Sequence, residues 1–307
     1  MATSQDTFGS NASTGKKLDI IREYLGMYQN ALKNQPYLQT HYVDAFAGTG
    51  KIPLKSNGIE LQLWDDEQGD PTEDSDNFIT GSTRLALEIE PPFESYTFVE
   101  KSRSKFQELS DTFETHRHLN KISFKKGDAN SEVSNFCKQM RTSDRAIIFL
   151  DPFGSQVEWN TIEKIAATEK VDLWYLFPSG VSVFRQISNK GTVDPTHVAA
   201  IDRIYGTTDW REEFLKPRFS TDLFGNGILK HEKVVTAEIA ADFMIERLKK
   251  VFKGGVADFK IELGKHAYPS YHLLFAWANP HPKAKALANK LSQAAVRASD
   301  NNYGKSL

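Results

Sequence analysis

The stretch Tyr42-Val43-Asp44-Ala45-Phe46-Ala47-Gly48-Thr49-Gly50-Lys51 constrains this chain most, because an apolar strand runs there directly into a glycine-rich turn. Val43, Ala45 and Phe46 suit burial in a sheet, while Ala47, Gly48 and Gly50 leave bare backbone against which a ligand can lie. Asp44 stands where the strand ends. In open α/β sheets ligands bind outside the carboxyl ends of the strands, so a carboxylate there meets a ligand more readily than one elsewhere.

The spacing of the turn discriminates among nucleotide-binding loops. A P-loop requires Gly, four residues, then Gly-Lys-Ser/Thr, but Ile52 follows Gly50-Lys51 and Ala45 replaces the first glycine. The dinucleotide fingerprint requires a third glycine three residues after the second, and Pro53 occupies that place. What remains, Asp-x-Phe-Ala-Gly-x-Gly, resembles the first motif of S-adenosylmethionine-dependent methyltransferases, whose glycines admit the methionine and ribose parts of the cofactor. The alternative is a tight strand-to-helix turn that holds no ligand.

A chain of 307 residues with 39% hydrophobic side chains can bury a large core. Its formal net charge of −2 creates no global field for nucleic acid or anionic membrane, although a local basic patch remains compatible with it. The single cysteine, Cys137, excludes an intramolecular disulfide framework and a cysteine-rich metal or iron–sulfur site within the chain. No apolar run approaches membrane-spanning length and the amino terminus lacks a signal-peptide core, so a cytoplasmic location is expected.

Residues 1–15 are rich in Ser, Thr, Asn and Gly, which predicts a disordered lead, with 16–307 read as one domain. Leu18, Ile21, Leu25, Tyr28 and Leu32 recur at helical spacing, so an amphipathic helix is expected over 16–33. The first strand follows at 38–46. Residues 53–78 form a polar insertion with acidic runs at 65–67 and 70–76, either a flexible flap or a lid over substrate. A helix opening at Gly81 is stopped by Pro91-Pro92.

The strand Tyr96-Thr97-Phe98-Val99-Glu100 ends in an acid and leads into a helix at 102–116. A carboxylate there can accept both ribose hydroxyl hydrogens; otherwise it is a solvated charge. A third strand at 121–126 runs into Gly127-Asp128-Ala129-Asn130, with a helix at 132–140. The methyltransferase resemblance implies that Asp128 accepts from the adenine amino group; in a structural role it caps a helix or makes a turn.

The strand Ala146-Ile147-Ile148-Phe149-Leu150 is continuously apolar, as one covered on both faces should be, and ends in Asp151-Pro152-Phe153-Gly154. A carboxylate, a proline carbonyl and an aromatic ring together suit a planar group bearing an amine, with two acceptors for N–H and a face for stacking. Amino-group methyltransferases, which this segment resembles, carry Asp/Asn-Pro-Pro-aromatic. Here the second proline is missing and the ring comes one residue early. The alternative is a strand-ending turn with Phe153 buried.

A helix at 159–167 and a strand at 171–177 continue the alternation, which implies a parallel sheet with right-handed crossovers. Residues 181–231 read as a variable substrate-side region with helix pieces at 201–205 and 210–215; Phe184, Arg185, Arg218, Phe219 and Phe224 either line a groove or form a satellite cluster under loops. A helix at 237–252, strands at 257–263 and 271–278, and a helix at 282–298 complete the chain. The close strand pair must be antiparallel.

In their order, YVDAFAGTG, TFVEKS, KKGDAN, FLDPFG and LWYLFPSG resemble the three-Cys-motif partner (TcmP) family of S-adenosylmethionine-dependent methyltransferases, over roughly residues 16–253 and most strongly through Gly180. The resemblance implies an α/β, Rossmann-like class I methyltransferase fold: a mostly parallel seven-stranded sheet with one antiparallel strand and helices on both faces. It implies S-adenosylmethionine as cofactor, no metal, cofactor contacts at Asp44, Phe46, Ala47, Gly48, Gly50, Glu100, Asp128 and Ala129, and acceptor contacts at Asp151, Pro152 and Phe153. Family members are bacterial or phage proteins encoded beside a radical-S-adenosylmethionine-like protein with three clustered cysteines, and this chain would be its partner. Some relatives carry a winged-helix segment, for which the tail offers no counterpart.

On this reading the protein aligns an incoming nucleophile behind an already activated methyl group and excludes water. The acceptor expected is a nucleic-acid base or nucleotide, with a protein side-chain amide fitting the same geometry. Two other classes stand beside it. One is a non-catalytic scaffold for the three-cysteine protein. The other is nuclease or NTPase chemistry, against which the mismatched P-loop and the lack of a metal-ligand cluster both count.

Overall fold

The computed structural model describes residues 8–53, 78–221, 227–265 and 268–303. Helix α1 (Phe8–Leu32) leads into β1 (Gln39–Asp44), and the glycine turn is followed by a ribbon of β2 (Lys51–Pro53) and β3 (Phe78–Thr80). Then come α2 (Ser82–Leu87), β4 (Ser95–Glu100), α3 (Arg103–Thr112), β5 (Ile122–Lys126), α4 (Ala129–Gln139), β6 (Asp144–Leu150), α5 (Trp159–Ala167) and β7 (Val171–Phe177). A π-helical turn, Ser179–Phe184, precedes α6 (Pro195–Tyr205), α7 (Trp210–Phe214) and the hairpin β8 (Leu215–Thr221) and β9 (Gly227–Lys233). Helix α8 (Ala237–Val251), the strands β10 (Gly255–Val256), β11 (Ile261–Lys265) and β12 (Tyr268–Trp277), and α9 (Pro282–Tyr303) follow.

The main sheet has the order β10-β12-β7-β6-β1-β4-β5, with β11 also paired to β12. The β1–β4, β1–β6, β4–β5 and β6–β7 pairs are parallel, and β12 alone is reversed against β7. This is the mostly parallel, Rossmann-like arrangement expected from the strand–helix alternation. Chain order runs outward from β1 in both directions, so the sheet has its topological switch between β1 and β6.

Side chains alternate across the central strands, which explains their unbroken apolar character. Val43, Ile148, Leu150, Leu173 and Tyr175 pack with α4, α5, α6, α7 and α8, while Tyr42, Ile147, Phe149, Trp174 and Leu176 pack with α1, α2 and α9. Every one of these strand side chains is buried, which accounts for the unbroken apolar runs 146–150 and 173–177.

The structure departs from the sequence reading in four places. Helix α1 begins at Phe8, so half of the stretch read as a lead is helical. The strand expected at 257–263 is split into β10 and β11, which makes the sheet eight-stranded while leaving it seven positions wide. The ends of the polar insertion pair as the β2–β3 ribbon, while 54–77 lie outside the described residues. In the 181–231 region, Phe184 packs against the main core and Phe219 is 82% exposed, so the two share no satellite cluster, while Phe224 lies outside the described residues.

Candidate functional site

The chain leaves β1 at Asp44 and is stitched to both neighbouring strands. The Ala45 N–H donates to the Phe149 carbonyl at 3.1 Å and the Ala47 N–H to the Val99 carbonyl at 2.9 Å, so the turn straddles β6 and β4. Gly48 and Gly50 adopt φ of 59° and 78°, where a Cβ crowds the backbone. Their surroundings differ. A Cβ on Gly48 meets nothing within 4 Å, whereas one on Gly50 lies 2.7 Å from the Phe113 ring and 3.2 Å from Leu109. Gly48 therefore keeps the open face of the turn clear, and Gly50 lets α3 close against it.

Three acids surround this turn in different ways. Asp44 has no exposed surface. Its Oδ1 accepts from the Phe46 N–H at 3.1 Å and its Oδ2 from the Ser82 hydroxyl at 2.5 Å, which puts it behind the loop as the clamp between turn and α2. Burial pushes its carboxyl up to about 6, against the opposing pull of those two hydrogen bonds. Glu100 instead stands at the loop's open side. Its Oε2 accepts from the Gly48 N–H at 3.1 Å and its Oε1 from the Ser102 N–H at 2.7 Å, leaving further lone pairs on both oxygens. Asp128 caps α4, its Oδ1 accepting from the N–H groups of Asn130 and Ser131, while Oδ2 lies 3.8 Å from Lys101 Nζ. Ala129 is buried beneath that cap, and Phe46 is partly buried against the core.

At the end of β6, Asp151 Oδ2 accepts from Lys17 Nζ on α1 at 2.5 Å. Pro152 is buried, but Phe153 is 57% exposed, so the alternative of a buried ring is overturned. Lys105 of α3 extends its ammonium to 5.6 Å from the Phe153 ring centre. The loop is held from beneath: the Phe153 N–H donates to Gln156 Oε1 at 3.0 Å, and Asn130 donates to the Gln156 carbonyl while accepting from the Glu158 N–H and the Thr161 hydroxyl. Neither Asn130 nor Lys17 stands out in the sequence, because their partners lie 26 to 134 residues away.

The sheet register brings these groups together. Asp44 aligns with Phe149 on one side and Phe98 on the other, so Asp151 and Glu100 each lie two residues beyond the same line. They stand on strands separated only by β1, about 10 Å apart at the usual strand spacing. A shallow concavity of about 640 Å³ opens beside Glu100, lined by Ser102, Arg103, Ser104 and Gln107. Another, of about 500 Å³, lies at the opposite end of the sheet around Arg145, Lys170 and His281 and touches none of these residues. Among the described residues no three His, Cys, Asp or Glu side chains are grouped to hold a metal ion, and no helix is long and apolar enough to cross a membrane. Burial pushes the Cys137 thiol up to about 12.

No known family model and no curated protein matches the sequence. Among solved structures, protein LPL1258 from Legionella pneumophila is similar at 13% identity and a TM-score of 0.45, covering 94% of this chain and 93% of that one. An S-adenosylmethionine-dependent methyltransferase from Clostridium acetobutylicum is similar at 10% identity and a TM-score of 0.33, covering 83% and 91%. A methyltransferase from Geobacter sulfurreducens is similar at 11% identity and a TM-score of 0.29, covering 68% and 78%. At these identities and scores the likenesses assign no activity.

Proposed function

We propose that this chain is an S-adenosylmethionine-dependent methyltransferase acting on an amine of a planar acceptor, a nucleic-acid base or nucleotide. The observation that carries the reading is the convergence, around the topological switch, of an open Gly48 turn tied to Glu100 with the partly exposed Asp151 and the exposed ring of Phe153 one strand beyond. The donor set fits the cofactor: an unobstructed backbone face at Gly48, a carboxylate with spare lone pairs for the ribose at Glu100, and Asp128 Oδ2 for an exocyclic amine.

When bound, the cofactor supplies a methyl group already activated by its sulfonium. Glu100 accepts from the ribose hydroxyls, and Asp128 from the adenine amine. Asp44, buried and hydrogen-bonded through both oxygens, supports the site by keeping the turn in register with α2. Asp151 and the Pro152 carbonyl accept from the acceptor amine and Phe153 stacks on its ring, so the chain's contribution is alignment. The resemblance to the TcmP family extends the proposal to a partner protein bearing three clustered cysteines.

Incubation with isotopically labelled S-adenosylmethionine, followed by mass spectrometry of oligonucleotides, nucleotides and partner protein, tests the reading. Label in a base supports it. Label in no acceptor, with the partner supplied, turns the chain into a scaffold, and failure of both the cofactor and its demethylated product to raise the melting temperature removes the cofactor assignment as well.

A further inference from the structure

Lys17 is 9% exposed, unusual for a residue type that is seldom buried unless paired. Its ammonium meets Asp151 Oδ2 at 2.5 Å, with the two side chains 11% and 26% exposed, and lies 5.8 Å from the Phe149 ring centre. It is the hydrogen bond made to Asp151 among the described residues, and it leaves Oδ1 without one. Local sequence does not dictate this contact, since the partners are 134 residues apart. Nor is Lys17 needed to fasten α1. Lys16 already binds Asp300 of α9 at 2.8 Å, and Leu18, Ile20 and Ile21 are buried beside it.

From this placement we infer that Lys17 is a positioning residue for methyl transfer: its ammonium fixes one oxygen of Asp151 and thereby presents the other to the acceptor amine. The inference rests on the methyltransferase reading above. A carboxylate at a strand end otherwise rotates among several orientations. A charge-assisted bond from a nearly buried lysine selects one, and small errors in alignment are what transfer tolerates least. The same ammonium acts on Asp44, whose carboxyl also faces Asp151, the Ser82 hydroxyl and the Phe46 N–H, and it opposes the upward push of burial there. One cation thus serves both acids behind the acceptor position.

The test compares Lys17→Met and Lys17→Arg with the parent, using labelled S-adenosylmethionine and a pool of single-stranded RNA and DNA oligonucleotides of mixed base composition. Lys17→Met should keep cofactor affinity within about twofold while transfer falls by about tenfold or more, and Lys17→Arg should recover part of the loss. A second readout needs no cofactor: carboxyl carbon NMR of the Asp44 titration, whose midpoint should rise from about 6 in Lys17→Met. A folded Lys17→Met protein with the parent rate and an unmoved Asp44 midpoint overturns the inference. So does a parallel loss of cofactor binding and melting temperature in both variants, which marks a structural fastening. Failure of the parent to bind cofactor at all instead sinks the methyltransferase reading, while the Asp44 titration still decides whether Lys17 governs the acids.

Discussion

The Gly48 N–H donates to Glu100 Oε2 at 3.1 Å, so the open turn after β1 and the acid at the end of β4 form one unit. Glu100 also accepts from the Ser102 N–H at 2.7 Å, which ties in the first turn of α3. These contacts let Glu100 shape the turn, and the proposed function adds a binding role to the same side chain.

Glu100→Ala should therefore weaken S-adenosylmethionine binding through lost charge-assisted hydrogen bonds of about 1.5–3 kcal/mol, roughly tenfold to a hundredfold in Kd. Glu100→Gln, whose single amide oxygen can accept from only one of the Gly48 and Ser102 N–H groups and whose NH2 faces the other, should also lose affinity and should not restore the melting temperature of the parent. Calorimetric titration and thermal melts measure both. Unchanged affinity in Glu100→Ala removes Glu100 from the cofactor site.

The two glycines of the turn should separate binding from stability. Both have positive φ, so alanine at either position adds backbone strain of about 1–2 kcal/mol. At Gly50 the new methyl also meets the Phe113 ring at 2.7 Å, and Gly50→Ala should lose markedly more stability than Gly48→Ala. At Gly48 the methyl enters open space. There the expected result is a modest drop in melting temperature with a much larger loss of cofactor affinity. Equal behaviour of the two variants contradicts this division.

How much of this was legible in the sequence follows from the range of the interactions. Strands β6 and β7 could be placed because both faces are buried, which forces a continuous apolar run, and Asp128 as a helix cap is a local signal. The β8–β9 hairpin was missed because its strands, Leu-Lys-Pro-Arg-Phe-Ser-Thr and Gly-Ile-Leu-Lys-His-Glu-Lys, contain a proline and carry charges without clean alternation. Asp44 could be placed at a strand end but not behind the loop, since its burial depends on Ser82 of α2, 38 residues further along the chain. Lys17 falls at a polar position of an amphipathic helix, and no local pattern marks a contact with Asp151, 134 residues away.

Away from the site, Asp172 on β7 gives a pH prediction. Its Oδ2 accepts from the Tyr24 hydroxyl at 2.6 Å, and burial pushes its carboxyl up to about 7, against the opposing effects of that hydrogen bond and of Arg145. A folded-state value above the unfolded one means that the native protein holds the proton more tightly. The associated stability is full below about pH 4 and is lost as pH rises through about 7. Asp172→Asn removes this dependence. Its melting temperature relative to the parent should climb by a few degrees between pH 5 and pH 8, as followed by calorimetry, and a pH-independent difference speaks against the buried acid.

Phe153 offers the cleanest separation of acceptor binding from folding, because at 57% exposure its truncation opens no cavity. Phe153→Ala should leave the melting temperature and cofactor affinity nearly unchanged, as surface substitutions usually do. If the acceptor is a base, the lost stacking of about 1–3 kcal/mol should appear as a rise in the acceptor's KM of roughly fivefold to a hundredfold, with kcat less affected. Asp151→Ala should differ in both respects. It strands the Lys17 ammonium without its partner, so stability falls, and it removes the acceptor's alignment, so kcat collapses by about a hundredfold or more. Steady-state kinetics on an oligonucleotide, read against melts of the same preparations, distinguishes the two patterns. A Phe153→Ala enzyme whose KM for the base acceptor is unchanged rules out stacking on that ring and leaves the acceptor held by Asp151 and the Pro152 carbonyl alone.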